Sequence, residues 1–557
     1  MKKLFLYVML LISLPTAGFA EKGAVSAADP RAAAAGQQML REGGTAADAA
    51  LAMMLTLSVV EPQSSGIGGG GFLVYHDSKT GGVATIDGRE KAPAAMREDR
   101  FLGPDGKVIP FRDAFLGGHS VGVPGNIALM AKAHAKWGKL HWEKLFQPAI
   151  ALAEQGYVVT PRLAGVIAQL APLWDGFDAT KAIYFQDGHP KVAGDVVRNP
   201  ALANTLRQIA KKGPSAFYTG PIAQEIASAV SNAPRNAVPM TLADLAAYEA
   251  KERPPVCVMY RVYRLCGMGP PSSGATTVFQ ILGMVERFDM KALGPDSPKA
   301  WHVIAEAMQL AYADREKYLA DPDYVAVPVT GLLDKGYIAS RSALISENST
   351  RASYPAGMPP GAEPRTAAIS GEVMGTTHFV AADRLGNVAS MTSTVEGPFG
   401  SQLVAAGMVL NNEMTDFSLA PMKDGLPVAN RPQPGKRPVS SMSPTIVYGP
   451  DGQPIFAVGA AGGKRIIMQV AKTLIAHLDW GMNAQAALAA PNIYFNSGAI
   501  LVESGTLLAA QADALTQLGH VVMVNPISPS KANAAEHIAS GWVGAADPRS
   551  DGVGLSE

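Results

Sequence analysis

From Ala32 to Val60 small and apolar residues recur at helical spacing, with one interruption at Glu42-Gly43-Gly44-Thr45. Thr45 stands where a helix N-cap is needed, so the pattern predicts two helices in succession. A glycine run, Gly66 to Gly71, then leads into an apolar strand at Phe72 to Tyr75, and residues 85–95 read as strand and loop. From Pro124 to Met308 the pattern is mainly helical, with Ile304, Met308 and Ala311 on one face of a long helix. The stretch from Glu347 to Met374 changes character. It is rich in Ser, Pro, Gly, Ala and Glu and poor in large apolar groups, so it is expected to be loose or exposed. Beyond Gly375 the pattern turns to strands. Thr376 to Ala382 and Asn387 to Thr394 form a hairpin about Asp383 to Asn387, and further strands are expected at Pro444 to Tyr448 and Ile455 to Val458 before a helix at Ile466 to Leu478. A helical half followed by strands points to an α/β sandwich.

The first twenty residues fit a secretory leader: Lys2 and Lys3, an apolar stretch from Leu4 to Leu14, and small residues around a cleavage point after Ala20. The mature protein is therefore expected to be exported, periplasmic or secreted, with no membrane span. With 557 residues and 48% hydrophobic content a large core is possible. The charges balance at 47 basic and 47 acidic residues, which gives no reason to expect a nucleic-acid partner. The two cysteines, Cys257 and Cys266, flank a short hairpin about Arg261-Val262 that would set them opposite each other. An oxidising compartment permits a disulfide there, but cross-strand geometry is often unfavourable, and the sequence leaves the pairing open.

Three motifs compete for the chemistry. Gly66-Ile67-Gly68-Gly69-Gly70-Gly71 matches G-x-G-x-x-G, but a helix precedes it and a strand follows, the reverse of a dinucleotide loop. Gly118-His119-Ser120-Val121-Gly122 matches the elbow of a Ser120 α/β-hydrolase, yet Arg112 and Asp113 precede it and Pro124-Gly125 follows, where that elbow needs a buried strand and a helix. No run has metal-ligand spacing, so neither metal nor cofactor is expected. The third motif, Gly375-Thr376-Thr377-His378, stands where the loose segment meets the hairpin. Cleavage between Gly375 and Thr376 would give Thr376 an α-amine of pKa near 8, able to act as base for its own hydroxyl. Gly462-Gly463, between a strand and a helix, offers backbone N–H groups for an oxyanion. Glu413 and Asp416 suit an ammonium, Arg89 a carboxylate, and Ser440-Ser441 supply hydroxyls.

Together these runs resemble the γ-glutamyltransferase family of N-terminal-nucleophile hydrolases. The resemblance extends through Leu40 to Ala50, Gly68 to Phe72, Asp87 to Glu90, Pro270 to Gly274, Thr376 to Phe379, Arg437 to Thr445, Gly462-Gly463 and Asp547 to Ser550, in that order. It implies an αββα sandwich made by a large subunit, 21–375, and a small subunit, 376–557, of one precursor that cleaves itself before Thr376. It implies a γ-glutamyl ester on Thr376, formed from glutathione or a related donor and passed to water or to an amino-acid or peptide acceptor. Thr394 would support Thr376, and Gly462 and Gly463 would form the oxyanion hole. Arg89, Ser440 and Ser441 would hold the α-carboxylate, and Glu396, Glu413 and Asp416 the α-ammonium. Many members carry Asn and Gln where Glu396 and Glu413 fall, and some relatives act on glutaryl-type β-lactam side chains. An acylase of that kind is the alternative within the fold; a binding protein with a degenerate site is the alternative outside enzymology.

Overall fold

The computed structural model describes residues 22–367, 375–496, 498–526 and 531–557; the leader read at 1–20 and the last residues of the loose segment, 368–374, lie outside these. Two antiparallel sheets form the centre. Their strands are β1 (Ala24–Ala27), β2 (Gly70–Asp77), β3 (Gly82–Gly88), β4 (Lys251–Arg253), β5 (Val256–Tyr260), β6 (Tyr263–Gly267), β7 (Gly375–Ala382), β8 (Val388–Glu396), β9 (Thr445–Tyr448), β10 (Pro454–Ala461), β11 (Lys531–Ile538), β12 (Gly541–Ala546) and β13 (Val553–Ser556). One sheet runs β13-β1-β7-β8-β2-β3-β4 and the other β12-β11-β10-β9-β6-β5.

Side-chain alternation along the strands explains the layering. Phe379 and Ala381 of β7, Met391 of β8, and Leu73 and Tyr75 of β2 face outward. They pack with α1 (Pro30–Arg41) and α2 (Ala46–Val60). The alternate residues, Val380, Val388, Phe72 and Val74, face inward against Ile446, Phe456 and Val458 of the second sheet. That sheet's far side is covered by α3 (Gly274–Val285), α4 (Pro298–Tyr318) and α5 (Arg465–Leu478). The order is helix, sheet, sheet, helix: the αββα sandwich the sequence implies.

Local signals account for the element ends. Thr45 caps α2 with a reciprocal box to Asp48. The β7–β8 hairpin turns on Asp383, whose side chain accepts from Leu385 and Asn387 amides, with Gly386 at φ 87°. The cysteine hairpin forms about Arg261, Cys257 pairs directly opposite Cys266 with Cα atoms 4.2 Å apart, and the two are joined by a disulfide. The described part of the loose segment, 347–367, holds no regular helix or strand beyond an isolated bridge from Thr366 to Val428. Among the described residues no helix is long and apolar enough to cross a membrane.

Candidate active site

The site lies where β7 and β8 begin and end side by side. Thr376 is the second residue of β7 and pairs in register with Thr394 near the end of β8. Their hydroxyls are 3.1 Å apart. Thr394 Oγ1 donates its single proton to the Gly375 carbonyl (2.9 Å) and accepts from the Glu396 amide (2.8 Å), so Thr376 is the donor in the threonine pair. The ladder shifts register between Gly375 and Thr376. His378 does not serve as a base for Thr376: its Nδ1 is bonded to Thr392 Oγ1 at 2.8 Å, and burial pushes its imidazole down to about 3.

The glycine run before β2 supports this floor. A Cβ on Gly69 would lie 1.9 Å from the Thr394 carbonyl, and one on Gly68 would lie 2.1 Å from that of Val409. Backbone meets backbone here, which is the use the sequence makes of G-x-G-x-x-G in this chain. Asn411 then stitches the walls together. Its amide donates to the Gly68 and Gly122 carbonyls, and its carbonyl accepts from the Gly122 and Glu413 amides.

Arg89 follows β3 and is almost fully buried. Glu413 and Asp416 sit on one short 3-10 turn, Glu413–Asp416, whose i and i+3 side chains share a face, and both reach the guanidinium. Nη1 pairs with Glu413, Nη2 with Asp416 at 2.5 Å and with the Val439 carbonyl at 2.8 Å, and Nε with the Pro438 carbonyl at 3.2 Å. The expectation was that Arg89 and the acids would hold opposite ends of a ligand. In this structure they hold each other, so an entering carboxylate must exchange with an acid at Arg89. Burial works against the Arg89 charge, but Glu413, Asp416 and Glu90 keep its pKa above the ordinary value. Burial drives Glu413 well above the ordinary carboxylate range despite Arg89.

One cleft collects Arg89, Thr376, Thr394, Glu396, Glu413, Asp416, Ser440, Ser441, Met442, Gly463 and Ile466. Gly462 precedes Gly463 in the turn between β10 and α5, both at positive φ (132° and 59°). Glu396, also at positive φ (76°), accepts from Asn412 Nδ2 at 3.3 Å. Ser440 is fixed by its amide to Pro271 and its carbonyl to Ser273. Sequence reading gave no role to Glu90, although it adjoins Arg89 in the quoted run; its carboxylate lies 3.8 Å from the guanidinium. Met442 and Ile466 were likewise unassigned, because an apolar wall carries no chemical signature.

The Ser120 alternative fails. Ser120 lies in a 3-10 turn, Gly118–Ser120, with its hydroxyl donating to the Phe115 and Gly117 carbonyls at 2.7 and 2.9 Å. There is no strand-to-helix elbow, and Ser120 does not line the cleft. A larger groove beside the edge strand β5 is lined by Val256, Val258, Phe279, Leu282 and Ile338, with none of the hydroxyl, glycine-turn and ion-pair groups above. His302, Glu306 and His520 form a buried group with metal-ligand character. The two rings bond each other at 2.7 Å, and His302 Nε2 donates to the Ser346 carbonyl.

Glu90 gives a pH test. Burial raises its carboxyl to about 7, with Arg89 opposing. The unfolded carboxyl loses its proton near pH 4.5 and the folded one near 7. Between these the folded state binds more protons, so this group's contribution to stability falls as pH rises. Glu90→Gln should gain stability over the wild type from pH 4.5 to 7, by roughly 3 kcal/mol in all, and keep a constant lead above pH 7. Urea unfolding of both proteins across this range measures it; a difference independent of pH would refute the assignment.

Comparison with known proteins places these features. A family profile described as Gamma-glutamyltranspeptidase matches residues 32–556. The chain is 36% identical over 547 residues to a glutathione hydrolase proenzyme of Bacillus subtilis strain 168, covering 96% of this chain and 91% of that one. It is 34% identical over 540 residues to the acylase ACY 1 proenzyme of Pseudomonas sp. strain V22, covering 96% and 93%. The crystal structure of a cephalosporin acylase from Bacillus halodurans superposes with a TM-score of 0.83 at 27% identity, covering 99% of each chain.

Proposed function

Because this chain belongs to the gamma-glutamyltranspeptidase family of enzymes, we propose that it is an exported, self-processing γ-glutamyl hydrolase and transferase with Thr376 as nucleophile. The observation that carries this reading is the single cleft shared by the Thr376–Thr394 hydroxyl pair, the Gly463 turn and the Arg89–Glu413–Asp416 cluster. In the precursor, Thr376 Oγ1 attacks the Gly375 carbonyl carbon, whose oxygen already accepts from Thr394. The C–N bond breaks, the proton passes to the Thr376 nitrogen, and water opens the resulting ester. This leaves a large subunit, 21–375, paired with a small subunit, 376–557.

In the mature site the new α-amine takes the Thr376 hydroxyl proton as Oγ1 attacks the γ-amide carbon of glutathione or a related donor. The oxyanion meets the Gly462 and Gly463 amides, the leaving amine takes the proton, and a γ-glutamyl ester remains. Water, or an amino-acid or peptide amine, then releases the γ-glutamyl group. The donor's α-carboxylate binds Arg89, Ser440 and Ser441, and Glu413, Asp416 and Glu396 turn to its α-ammonium.

Glu413 and Asp416 favour an ammonium-bearing donor over the glutaryl side chain of an acylase substrate. Steady-state kinetics on glutathione, glutamine and a glutaryl amide test this. kcat/KM for the γ-glutamyl donors should exceed that for the glutaryl amide by roughly 10²-fold or more, since the analogue leaves buried acids unpaired. A preference for the glutaryl amide would replace this reading with the acylase one.

A further inference from the structure

Arg315 lies three residues from the end of α4 and is nearly inaccessible to solvent. It continues the apolar stripe of Ile304, Met308 and Ala311 by one more helical step, so a guanidinium sits where the pattern calls for a hydrophobic side chain. Its Nη2 donates to Ser441 Oγ at 2.7 Å and its Nε to Ser273 Oγ at 2.8 Å. Ser273 in turn donates both its hydroxyl and its amide to the Ser440 carbonyl, at 2.6 and 2.7 Å, and Ser272 Oγ donates to the Met442 carbonyl at 2.6 Å. The Ser440-Ser441-Met442 loop is thus clamped by one guanidinium and the two serines before α3.

The same helix turn reaches the glycine turn. Arg315 Nη1 pairs with Glu316 Oε1 at 2.9 Å, and that oxygen also accepts from Lys464 Nζ at 2.7 Å. Tyr312 donates to the Lys464 carbonyl. Lys464 directly follows Gly463, which lines the cleft described above.

We propose that Arg315 is a positioning residue that sets the carboxylate-binding serines, while the neighbouring Glu316, through Lys464, sets the oxyanion turn from the same helix. This rests on the roles given above to Ser441 and Gly463. A hydroxyl that accepts from a guanidinium keeps its one proton for another acceptor, so Arg315 orients Ser441 as a donor toward a substrate carboxylate. The guanidinium fork matters as well as its charge, because Ser273 and Ser441 are held by different nitrogens at once.

Two donors separate this from general structural damage: a γ-glutamyl anilide and the 4-aminobutyryl anilide, which is the same amide without the α-carboxylate. Arg315→Lys should raise KM for the γ-glutamyl anilide about tenfold or more, the loss of one charge-assisted hydrogen bond. It should leave kcat/KM for the 4-aminobutyryl anilide within about twofold. In a Ser441→Ala background, Arg315→Lys should have no further effect on that KM. Glu316→Gln should lower kcat on both donors. If Arg315→Lys yields no folded protein, Ser273→Ala, which removes the other anchor, should give the same split between donors. Equal losses on both donors, or effects of Arg315→Lys and Ser441→Ala that multiply, would overturn the proposal. A wild-type enzyme indifferent to the α-carboxylate would instead overturn the carboxylate site on which it rests.

Discussion

Thr376→Ala is expected to leave the protein as one uncut chain and to lower its γ-glutamyl hydrolysis by roughly 10⁴–10⁶-fold, the scale of losing a covalent nucleophile. The wild type should instead run as two fragments on a denaturing gel, the smaller beginning at Thr376 by N-terminal sequencing. Thr376→Ser keeps the hydroxyl and should still cleave, more slowly. Thr394→Val tests the geometry of the cut. In the structure Thr394 both accepts a hydrogen bond from the Thr376 hydroxyl and donates one to the Gly375 carbonyl. Removing its hydroxyl should slow processing while the chain still folds, because the β7–β8 ladder is made by the backbone. Full activity from an uncut wild-type chain would contradict the mechanism, since Thr376 would then have no α-amine to serve as base.

Arg89→Ala should have the second large effect, and in two separate measurements. Three carboxylates, Glu90, Glu413 and Asp416, lie within ion-pair reach of its buried guanidinium. Removing it leaves buried acids without a cation, at a cost of about 3–5 kcal/mol in unfolding free energy near neutral pH. That cost should shrink as pH falls and the acids are protonated. Binding of a γ-glutamyl donor should weaken by roughly 2–5 kcal/mol as well, through the lost carboxylate partner. Arg89→Lys keeps the charge but not the fork and should fall between. Asp416→Ala should act through the ammonium instead: it should raise KM for γ-glutamyl amides and leave a glutaryl amide no worse. A KM unchanged in both Arg89→Ala and Asp416→Ala would point to a substrate without an amino-acid head.

Much of the fold was legible because its signals are local. The Thr45 cap, the Asp383–Asn387 hairpin and the cysteine hairpin depend on residues within a few positions of each other, where turn chemistry and side-chain period act directly. The order of motifs carried the family resemblance, and through it the αββα sandwich. The pairing of Cys257 with Cys266 could not be decided at that level, because it depends on Cα separation rather than spacing.

Only the tertiary structure decided how the charged groups meet. Arg89 and Glu413 are 324 residues apart in the chain, and nothing in either local pattern says that they pair with each other in this structure. Likewise Arg315 meets Ser441 from 126 residues away, and β1 pairs on one side with β13, from the other end of the chain, and on the other side with β7. The physical reason is that amphipathic period fixes which face of an element is buried but not which other face it meets. Buried charges find their partners through that second choice, made by the packing of two sheets and their helices as a whole.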